Sequence, residues 1–407
     1  MKPILLIATA VLSVVMPVDA AGRRTDAADR PNILFIYTDD HSYRTVSCYE
    51  GAHSWVRTPN MDRLAQRGVR FTHAYIGTWC MPSRATLLTG LHQFGVESMR
   101  MEGTYPGSEY DPKKCRMWPS VFRQSGYHTA QIGKWHTGTD AGFGREWDYQ
   151  IVWNRPKHPD NAGNYYHDQL LSFNGGEPTM TKGYSTDNYT QWAVEYIQGQ
   201  HGRRTSRGDL WLCYGGVHSP FTPADRHLKE YPDAHVETPK DIYPPRPGKP
   251  EYLQDFGMWE RGPNGEPVLK REAKGRQVGD DAEAAKGRSL TSWVRQYNQA
   301  VNALDEGIGK VMAALESSGQ LKNTLVIFTS DQGFAWGQHG FRQKLAPYDS
   351  NIRSPLIISM PGTIPEGRVA TAPVSAASFN RVSNYGLMAN LLAVPMMGLW
   401  VMPSALA

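Results

Sequence analysis

Four short apolar runs, each followed at once by polar residues, form the clearest pattern along this 407-residue chain. Continuous apolar runs are typical of strands that are covered on both faces, as in parallel sheets, whereas strands with one face in water alternate. Three of the runs span residues 32–38, 211–214 and 325–330, and a weaker fourth spans residues 129–132. Because the carboxyl ends of parallel strands meet at one edge of an open α/β sheet, we expect the polar residues beyond them to lie close together.

Helical periodicity separates these runs. Residues 293–315 carry apolar side chains at intervals of three or four and are followed by Ser318-Gly319, which predicts a long amphipathic helix. A shorter helix is predicted from Thr58, where a capping residue precedes Pro59. Strands that alternate with helices indicate an α/β fold, and the lack of any internal sequence repeat argues against solenoids and propellers.

Three segments depart from this pattern. Residues 1–20 combine Lys2, an apolar run and small residues, so we expect a signal peptide cleaved near Ala20 and export to the periplasm or the extracellular space. Residues 232–290 are rich in Pro, Gly and charge, which predicts an irregular surface excursion over the site. Residues 376–407 form an atypical apolar tail that is neither an amphipathic helix nor a clean transmembrane span.

Composition narrows the classes of partner. The chain is 40% hydrophobic and 20% charged, an ordinary balance for a globular protein with a large core. Its formal net charge of +4 is weak and dispersed, so we expect no nucleic-acid partner. Four cysteines are too few for a disulfide scaffold, and no segment predicts insertion into a membrane.

The polar residues after the first and last runs are candidate metal ligands. Asp39 and Asp40 follow the first run, and Asp331 and Gln332 follow the last. Three carboxylates and one carboxamide are hard oxygen donors that suit Ca²⁺ or Mg²⁺. An Asp pair at a strand end also serves as a helix-capping turn, so the residues alone leave both interpretations open.

Four cationic or titratable residues also lie beyond the ends of the predicted strands. Lys134 and His136 follow the second run, His218 follows the third, and Lys344 comes after the late acidic pair. A histidine at such an edge suits proton transfer because its ordinary pKa lies near neutral pH. A solvated surface lysine and a loop histidine bonded to the backbone are the ordinary structural alternatives.

The segment from Cys80 to Gly90 carries the most specific chemistry. It places a cysteine, a proline, a hydroxyl and an arginine in tight order before an apolar, helix-like stretch. The amino terminus of a helix suits an anionic group, because it concentrates unpaired N–H groups and the positive end of the helix dipole. Arg84, one turn later, adds a fixed fork of donors for a tetrahedral oxyanion.

These residues together resemble the signatures of the sulfatase family, within the alkaline phosphatase-like superfamily. Residues 80–90 match the pattern C-x-P-S-R-x-x-L-L-T-G, and residues 126–136 match the second family signature. The resemblance runs from about residue 30 to Ser375. It implies an alkaline phosphatase-like α/β/α sandwich with a large, mostly parallel central sheet. Family members continue with a smaller C-terminal subdomain, which we expect this chain to lack.

The resemblance also implies a modified nucleophile and one metal ion. Cys80 would be oxidised to formylglycine (3-oxoalanine) by a formylglycine-generating or sulfatase-maturating enzyme, and the hydrated aldehyde would attack sulfur. One divalent cation, Ca²⁺ rather than Mg²⁺, would be bound by five residues: Asp39, Asp40, Cys80, Asp331 and Gln332. Gln332 stands where the family more often has Asn.

The remaining roles follow from the same resemblance. Arg84, Lys134 and Lys344 would bind the sulfate group. His136 would help to regenerate the aldehyde, and His218 would protonate the leaving oxygen. His41, directly after Asp40, is a further residue that could reach the substrate.

The sequence therefore predicts a catalytic domain over residues 30–375 that hydrolyses sulfate esters, on a sulfated carbohydrate or an aryl sulfate. Two alternatives stay open. Some phosphonate and phosphate ester hydrolases of the same superfamily carry the cysteine signature. An inactive, truncated sulfatase-like protein would show the same motifs together with the unusual tail.

Overall fold

The computed structural model describes residues 30–91, 96, 115–202, 207–270, 289–344 and 346–370. The strands in these ranges are β1 (Asn32–Thr38), β2 (Gly68–Phe71), β3 (His128–Lys134), β4 (Tyr149–Trp153), β5 (His167–Phe173), β6 (Thr179–Tyr184), β7 (Gly208–Cys213), β8 (Trp259–Arg261), β9 (Pro267–Leu269), β10 (Thr324–Ser330), β11 (Ala335–Trp336), β12 (Arg342–Gln343), β13 (Leu356–Ser359) and β14 (Arg368–Ala370). The α-helices are α1 (Pro59–Gln66), α2 (Cys80–Thr89), α3 (Trp118–Gln124), α4 (Ser185–Ile197), α5 (Leu290–Ser317) and α6 (Asp349–Ile352). The predicted signal peptide and the apolar tail lie outside the described residues.

Ten of these strands form one mixed sheet in the order β14-β2-β13-β10-β1-β7-β3-β4-β5-β6. Its centre, from β10 to β4, is parallel throughout, and antiparallel strands join it on both sides. The four predicted runs are the adjacent strands β10, β1, β7 and β3. Their register places Thr38 beside Ser330 and Gly133 beside Cys213, so the four strands end at one edge. The α/β fold with a large, mostly parallel sheet is confirmed.

Successive side chains of the central strands enter two different apolar cores. In β1, Leu34 and Ile36 pack with residues of α1, α4 and α5, whereas Phe35 and Tyr37 pack with residues of α2 and α3. This alternation follows from the two-residue period of a strand. Both faces of the sheet are therefore covered, which explains why the strand sequence is continuously apolar.

Helix α5 is longer than its periodicity alone predicts. The Ser289 hydroxyl accepts a hydrogen bond from the Ser292 N–H at 3.2 Å, and this cap starts the helix before the first periodic residue. The hydroxyl of Tyr297 donates to the Asp40 carbonyl oxygen at 2.5 Å, which ties the helix to the carboxyl end of β1. Among the described residues, neither α5 nor any other helix has the length and apolar character that a membrane crossing requires.

The excursion predicted at 232–290 contains regular structure in its described part. Strands β8 and β9 pair as an antiparallel hairpin. The buried guanidinium of Arg246 donates hydrogen bonds to four backbone carbonyls, those of Asp241, Ile242, Leu253 and Phe256. A Cβ on Gly340 would lie 2.0 Å from that guanidinium, so the excursion packs closely against the segment that leads to Lys344.

Asp209 is a buried carboxyl group in the first half of β7. It is fully buried, and neither carboxylate oxygen has a hydrogen-bond partner. Burial raises the pKa of Asp209 well above its ordinary value of 3.8. The unfolded chain ionises first, so between the two pKa values the folded state binds more protons and the free energy of unfolding falls as pH rises.

We therefore expect Asp209→Asn to flatten the decline in unfolding free energy as pH rises above about 4, by about 1.4 kcal/mol for each unit of pKa elevation removed. Urea denaturation at a series of pH values measures this difference. Asp233→Asn, which alters an exposed carboxyl, is the matched control. If the unfolding free energies of the native protein and of Asp209→Asn depend on pH in the same way, Asp209 does not cause the decline.

Candidate active site

The candidate metal ligands meet at the carboxyl edge of the central strands. Asp39 and Asp40 follow β1, Asp331 follows β10, and Cys80 is the first residue of α2. One ligand atom from each of these buried residues lies within 4.8 Å of all the others. The side-chain nitrogen of Gln332 contacts Asp40 and lies 3.8 Å from the Cys80 Sγ. The structure thus brings together all five predicted ligands.

The backbone around Asp40 is held in an unusual conformation. Asp40 has a φ of 53°, in the left-handed region that costs a non-glycine residue on the order of 1 kcal/mol. Its N–H donates to the Asp331 carboxylate at 2.8 Å, and its carbonyl accepts from Tyr297. These bonds from β10 and α5 fix the direction of the Asp40 side chain.

Three cationic side chains neutralise the three carboxylates. Lys134 contacts Asp39, and the Arg84 guanidinium lies 3.0 Å from Asp39 and 3.4 Å from Asp331. The Lys344 ammonium lies 2.8 Å and 2.9 Å from the two oxygens of Asp40 and 2.9 Å from the Cys80 Sγ. The buried cluster is therefore close to neutral, as removal of charged groups from water requires.

The protonation of the carboxylates differs from one to the next. Although burial opposes ionisation, Lys134 and Arg84 hold the pKa of Asp39 well below its usual range. Burial raises the pKa of Asp40 to about 6, against the effect of Lys344. Burial and the neighbouring Asp39 charge raise the pKa of Asp331 to about 7. Asp40 and Asp331 therefore lose their protons only near neutral pH, and the three carboxylates balance the three cationic side chains once both are ionised.

Cys80 stands at the amino terminus of α2, where Trp79 is the capping residue. The side chain is 1% exposed, and burial followed by the Asp39 charge raises the pKa of the thiol to about 12. Arg84 lies on the same helix but is directed to the carboxylates and to the Lys134 carbonyl, which it contacts at 3.2 Å. Its sequence-based assignment to the oxyanion stays a prediction.

His218 lies beside this cluster with a defined ring orientation. Its Nδ1 donates to the Ser219 carbonyl at 2.7 Å, which leaves Nε2 facing Asp40 at 3.7 Å. Burial, followed by the Lys344 charge, lowers the pKa of His218 well below its usual value. His218 is thus neutral in the folded state, with its free nitrogen at the centre of the site.

His136 and His41 occupy different surroundings. His136 lies within 3.4 Å of the Arg155 guanidinium, and burial followed by the Arg155 charge lowers its pKa well below the usual value. The His41 ring packs edge-on against Phe328, and its Nδ1 lies 3.2 Å from the Thr38 hydroxyl. His41 therefore belongs to the apolar packing beneath the site, and the suggestion that it reaches the substrate is not supported.

Two residues near the site lie outside the family signatures and were not predicted from the sequence as site residues. Tyr165 stacks on His218, and Arg155 approaches His136. Arg155 lies just after β4, a fully buried strand that the sequence pattern did not predict, and Tyr165 lies in the connection from β4 to β5. The aromatic and β-branched residues of β4 were the available signal.

The residues present suit a hard divalent cation. The buried side-chain oxygen of Gln332 has no hydrogen-bond partner, and the oxygen and nitrogen of an amide can exchange places by rotation. Rotation would direct this oxygen toward Asp40 and complete a set of oxygen donors. Oxygen ligands of this kind bind Ca²⁺ or Mg²⁺ rather than zinc.

Comparisons with known proteins agree with this geometry. The Sulfatase family model matches residues 31–384. The N-acetylglucosamine-6-O-sulfatase of Bacteroides thetaiotaomicron is 29% identical, over 90% of this chain and 69% of that protein. The iduronate 2-sulfatase of Mus musculus is 26% identical, over 88% of this chain and 63% of that protein. This chain thus spans about two thirds of the length of these curated relatives.

A solved structure of a protein in complex with its substrate, D-glucosamine-2-N,6-O-disulfate, superposes with a TM-score of 0.67 at 27% sequence identity. The superposition covers 84% of this chain and 74% of that one.

Proposed function

The protein belongs to the sulfatase family of the alkaline phosphatase-like superfamily, and we propose that it hydrolyses sulfate esters of carbohydrates through a formylglycine derived from Cys80. One observation carries this proposal. Cys80 begins α2 within 2.9 Å of the Lys344 ammonium and 3.5 Å of the Asp39 carboxylate, at the edge where the parallel strands end. A nucleophile, an anion site and a cation site therefore share one buried location.

The lysines support binding of the sulfate group. Lys134 and Lys344 neutralise Asp39 and Asp40 in this structure. We propose that Ca²⁺ bound to the same carboxylates takes over this neutralisation and leaves both ammonium groups for the sulfate oxygens. The ion would supply neutralisation of the sulfate charge, and formylglycine at position 80 would supply a hydrated aldehyde as the nucleophile.

Proton transfer is assigned to His218. The bond from its Nδ1 to the Ser219 carbonyl fixes the ring and leaves Nε2 unprotonated, so Nε2 would first take up a proton and then pass it to the leaving oxygen. A sugar alkoxide is a poor leaving group, so this step matters more for carbohydrate sulfates than for aryl sulfates. His136 keeps its proposed role as the base that assists recovery of the aldehyde.

The carbohydrate substrate class is proposed by analogy with the relatives. The names of both curated relatives denote sulfate esters of sugars, and the similar solved complex contains a disulfated glucosamine. We propose a sulfated hexosamine or uronic acid as the substrate. A sulfatase-maturating enzyme would act on Cys80, and the predicted signal peptide would export the protein.

Rates on matched esters test the reaction class. With residue 80 shown by mass analysis to be formylglycine, we expect kcat/KM on 4-nitrophenyl sulfate to exceed that on 4-nitrophenyl phosphate by at least about 100-fold, or about 2.7 kcal/mol of transition-state stabilisation. We also expect sulfate release from N-acetylglucosamine 6-sulfate. Faster hydrolysis of the phosphate or of a phosphonate ester would favour the alternative hydrolase. Fully converted protein without turnover would indicate an inactive relative.

A further inference from the structure

Tyr165 lies flat against His218 inside the site. The two ring centroids are 3.8 Å apart and the ring planes differ by 3°. Tyr165 is 3% exposed and the His218 side chain 13% exposed, so the Tyr165 ring is buried in the stack while His218 keeps some access to water. The Tyr165 hydroxyl also accepts a hydrogen bond from the Lys134 ammonium at 3.3 Å. One side chain therefore contacts both the proposed proton donor and a proposed sulfate ligand.

The surroundings of Tyr165 make it a rigid support. The ring of Trp153, the last residue of β4, meets it edge-on at 4.7 Å and 82°. The Trp153 indole donates to the Asn161 carbonyl at 3.2 Å, and the Tyr165 carbonyl accepts from the Ser185 hydroxyl at 2.7 Å. The parallel sheet and α4 thus fix the position of the ring.

His218 depends on this support because its other restraints lie along one edge. The bond from Nδ1 to the Ser219 carbonyl holds one side of the ring, and the 3.7 Å approach of Nε2 to Asp40 is too long for a strong hydrogen bond. A ring held at one edge can still tilt about that bond. The flat face of Tyr165 prevents this tilt.

We propose that Tyr165 is a positioning residue that keeps Nε2 of His218 directed at the leaving oxygen, and that it thereby determines which sulfate esters the enzyme can cleave. This inference rests on the proposed function, in which His218 protonates the leaving group. Correct alignment matters most when the departing group is a sugar alkoxide. It matters little for nitrophenolate, which leaves without protonation.

The ratio of two rates tests this role. We expect Tyr165→Leu to lower kcat on N-acetylglucosamine 6-sulfate by about 100-fold, and to lower kcat on 4-nitrophenyl sulfate by less than about 10-fold. Tyr165→Phe keeps the stacked ring and removes the bond to Lys134. It should raise KM for both esters and preserve their ratio of kcat values. A general loss of packing would instead lower both rates by the same factor.

Two further variants separate positioning from stability. Tyr149→Leu removes another buried tyrosine that stacks on a histidine, His201, at 4.5 Å and 10°, and should leave the rate ratio unchanged. In a His218→Ala background, Tyr165→Leu should have no further effect on the ratio, because the residue that it positions is absent.

The outcomes distinguish this inference from the proposed function. An equal loss on both esters in Tyr165→Leu, or independent effects in the double variant, would overturn the role of Tyr165 while the native protein remains a sulfatase. A native protein that cleaves neither ester would instead overturn the proposed function. If Tyr165→Leu does not fold, Tyr165→Met, whose longer and more flexible side chain can adapt to the space left by the ring, is measured in its place.

Discussion

Replacing Cys80 with alanine is expected to lower kcat/KM on a sulfate ester by about 10⁴-fold or more. The thiol is the side chain that α2 directs at the cluster, 2.9 Å from Lys344 and 3.5 Å from Asp39, and alanine leaves no atom for conversion to a nucleophile. Lys134 and Lys344 remain, so KM should change much less than kcat. Loss of one small buried group should cost about 1 kcal/mol of unfolding free energy.

Cys48→Ala is the matched control, because Cys48 is a half-buried free thiol on a different part of the chain. It should keep native activity. Steady-state kinetics, a thermal melt and mass analysis of the peptide that contains residue 80 are measured on each variant. Turnover that persists in Cys80→Ala would remove position 80 from the mechanism. In the native protein, specific activity should rise in proportion to the fraction of residue 80 that is formylglycine.

Removal of divalent ions is expected to abolish turnover and to lower the melting temperature, with calcium restoring both more fully than magnesium. The cluster offers oxygens from three buried carboxylates and one amide, a set that suits the larger and less regular shell of Ca²⁺. An ion present at about 1,000 times its Kd adds about 4 kcal/mol to the free energy of unfolding. Chelation followed by titration with each ion measures both effects.

The variant Asp331→Asn tests the same metal site by mutation, because it removes the charge of one predicted ligand and keeps the size of the side chain. We expect its calcium affinity to fall by at least about 10-fold, or about 1.4 kcal/mol. Asp148→Asn alters a carboxylate that pairs with Arg123 at 2.6 Å outside the cluster and serves as the control. Full activity after exhaustive chelation, or a native calcium response in Asp331→Asn, would contradict the metal site.

Two site residues, Tyr165 and Arg155, were not predicted from the sequence, and they show which residues a sequence pattern can identify and which it cannot. His218 was found because it follows a strongly apolar run, and Lys134 because it follows a weaker run that a family signature marks. Tyr165 and Arg155 lie in the connection between β4 and β5, and β4 has five residues that include a buried glutamine, Gln150. A polar residue inside so short a run weakens the signal for a strand, and no motif marks the loop that follows.

Arg84 shows a second limit of prediction from a sequence motif. Its motif predicts a donor for the substrate oxyanion, a role that stays a prediction, and in the folded protein the side chain is fully buried against Asp39 and Asp331. A sequence motif specifies a residue type and a helical position. It does not specify which of several anionic partners the side chain meets, because those partners come from other strands.

The amino-acid sequence by itself determined that four central strands are buried, where the long helix runs and which side chains stand at the ends of those strands. These are local properties, set by residues a few positions apart. Only the tertiary structure decided that β10 lies beside β1, and that Cys80, Lys344 and three carboxylates share one dry cluster. Distance and burial depend on packing between segments nearly 300 residues apart, such as Asp40 and Asp331. The pKa values, and with them the chemistry, follow from that packing.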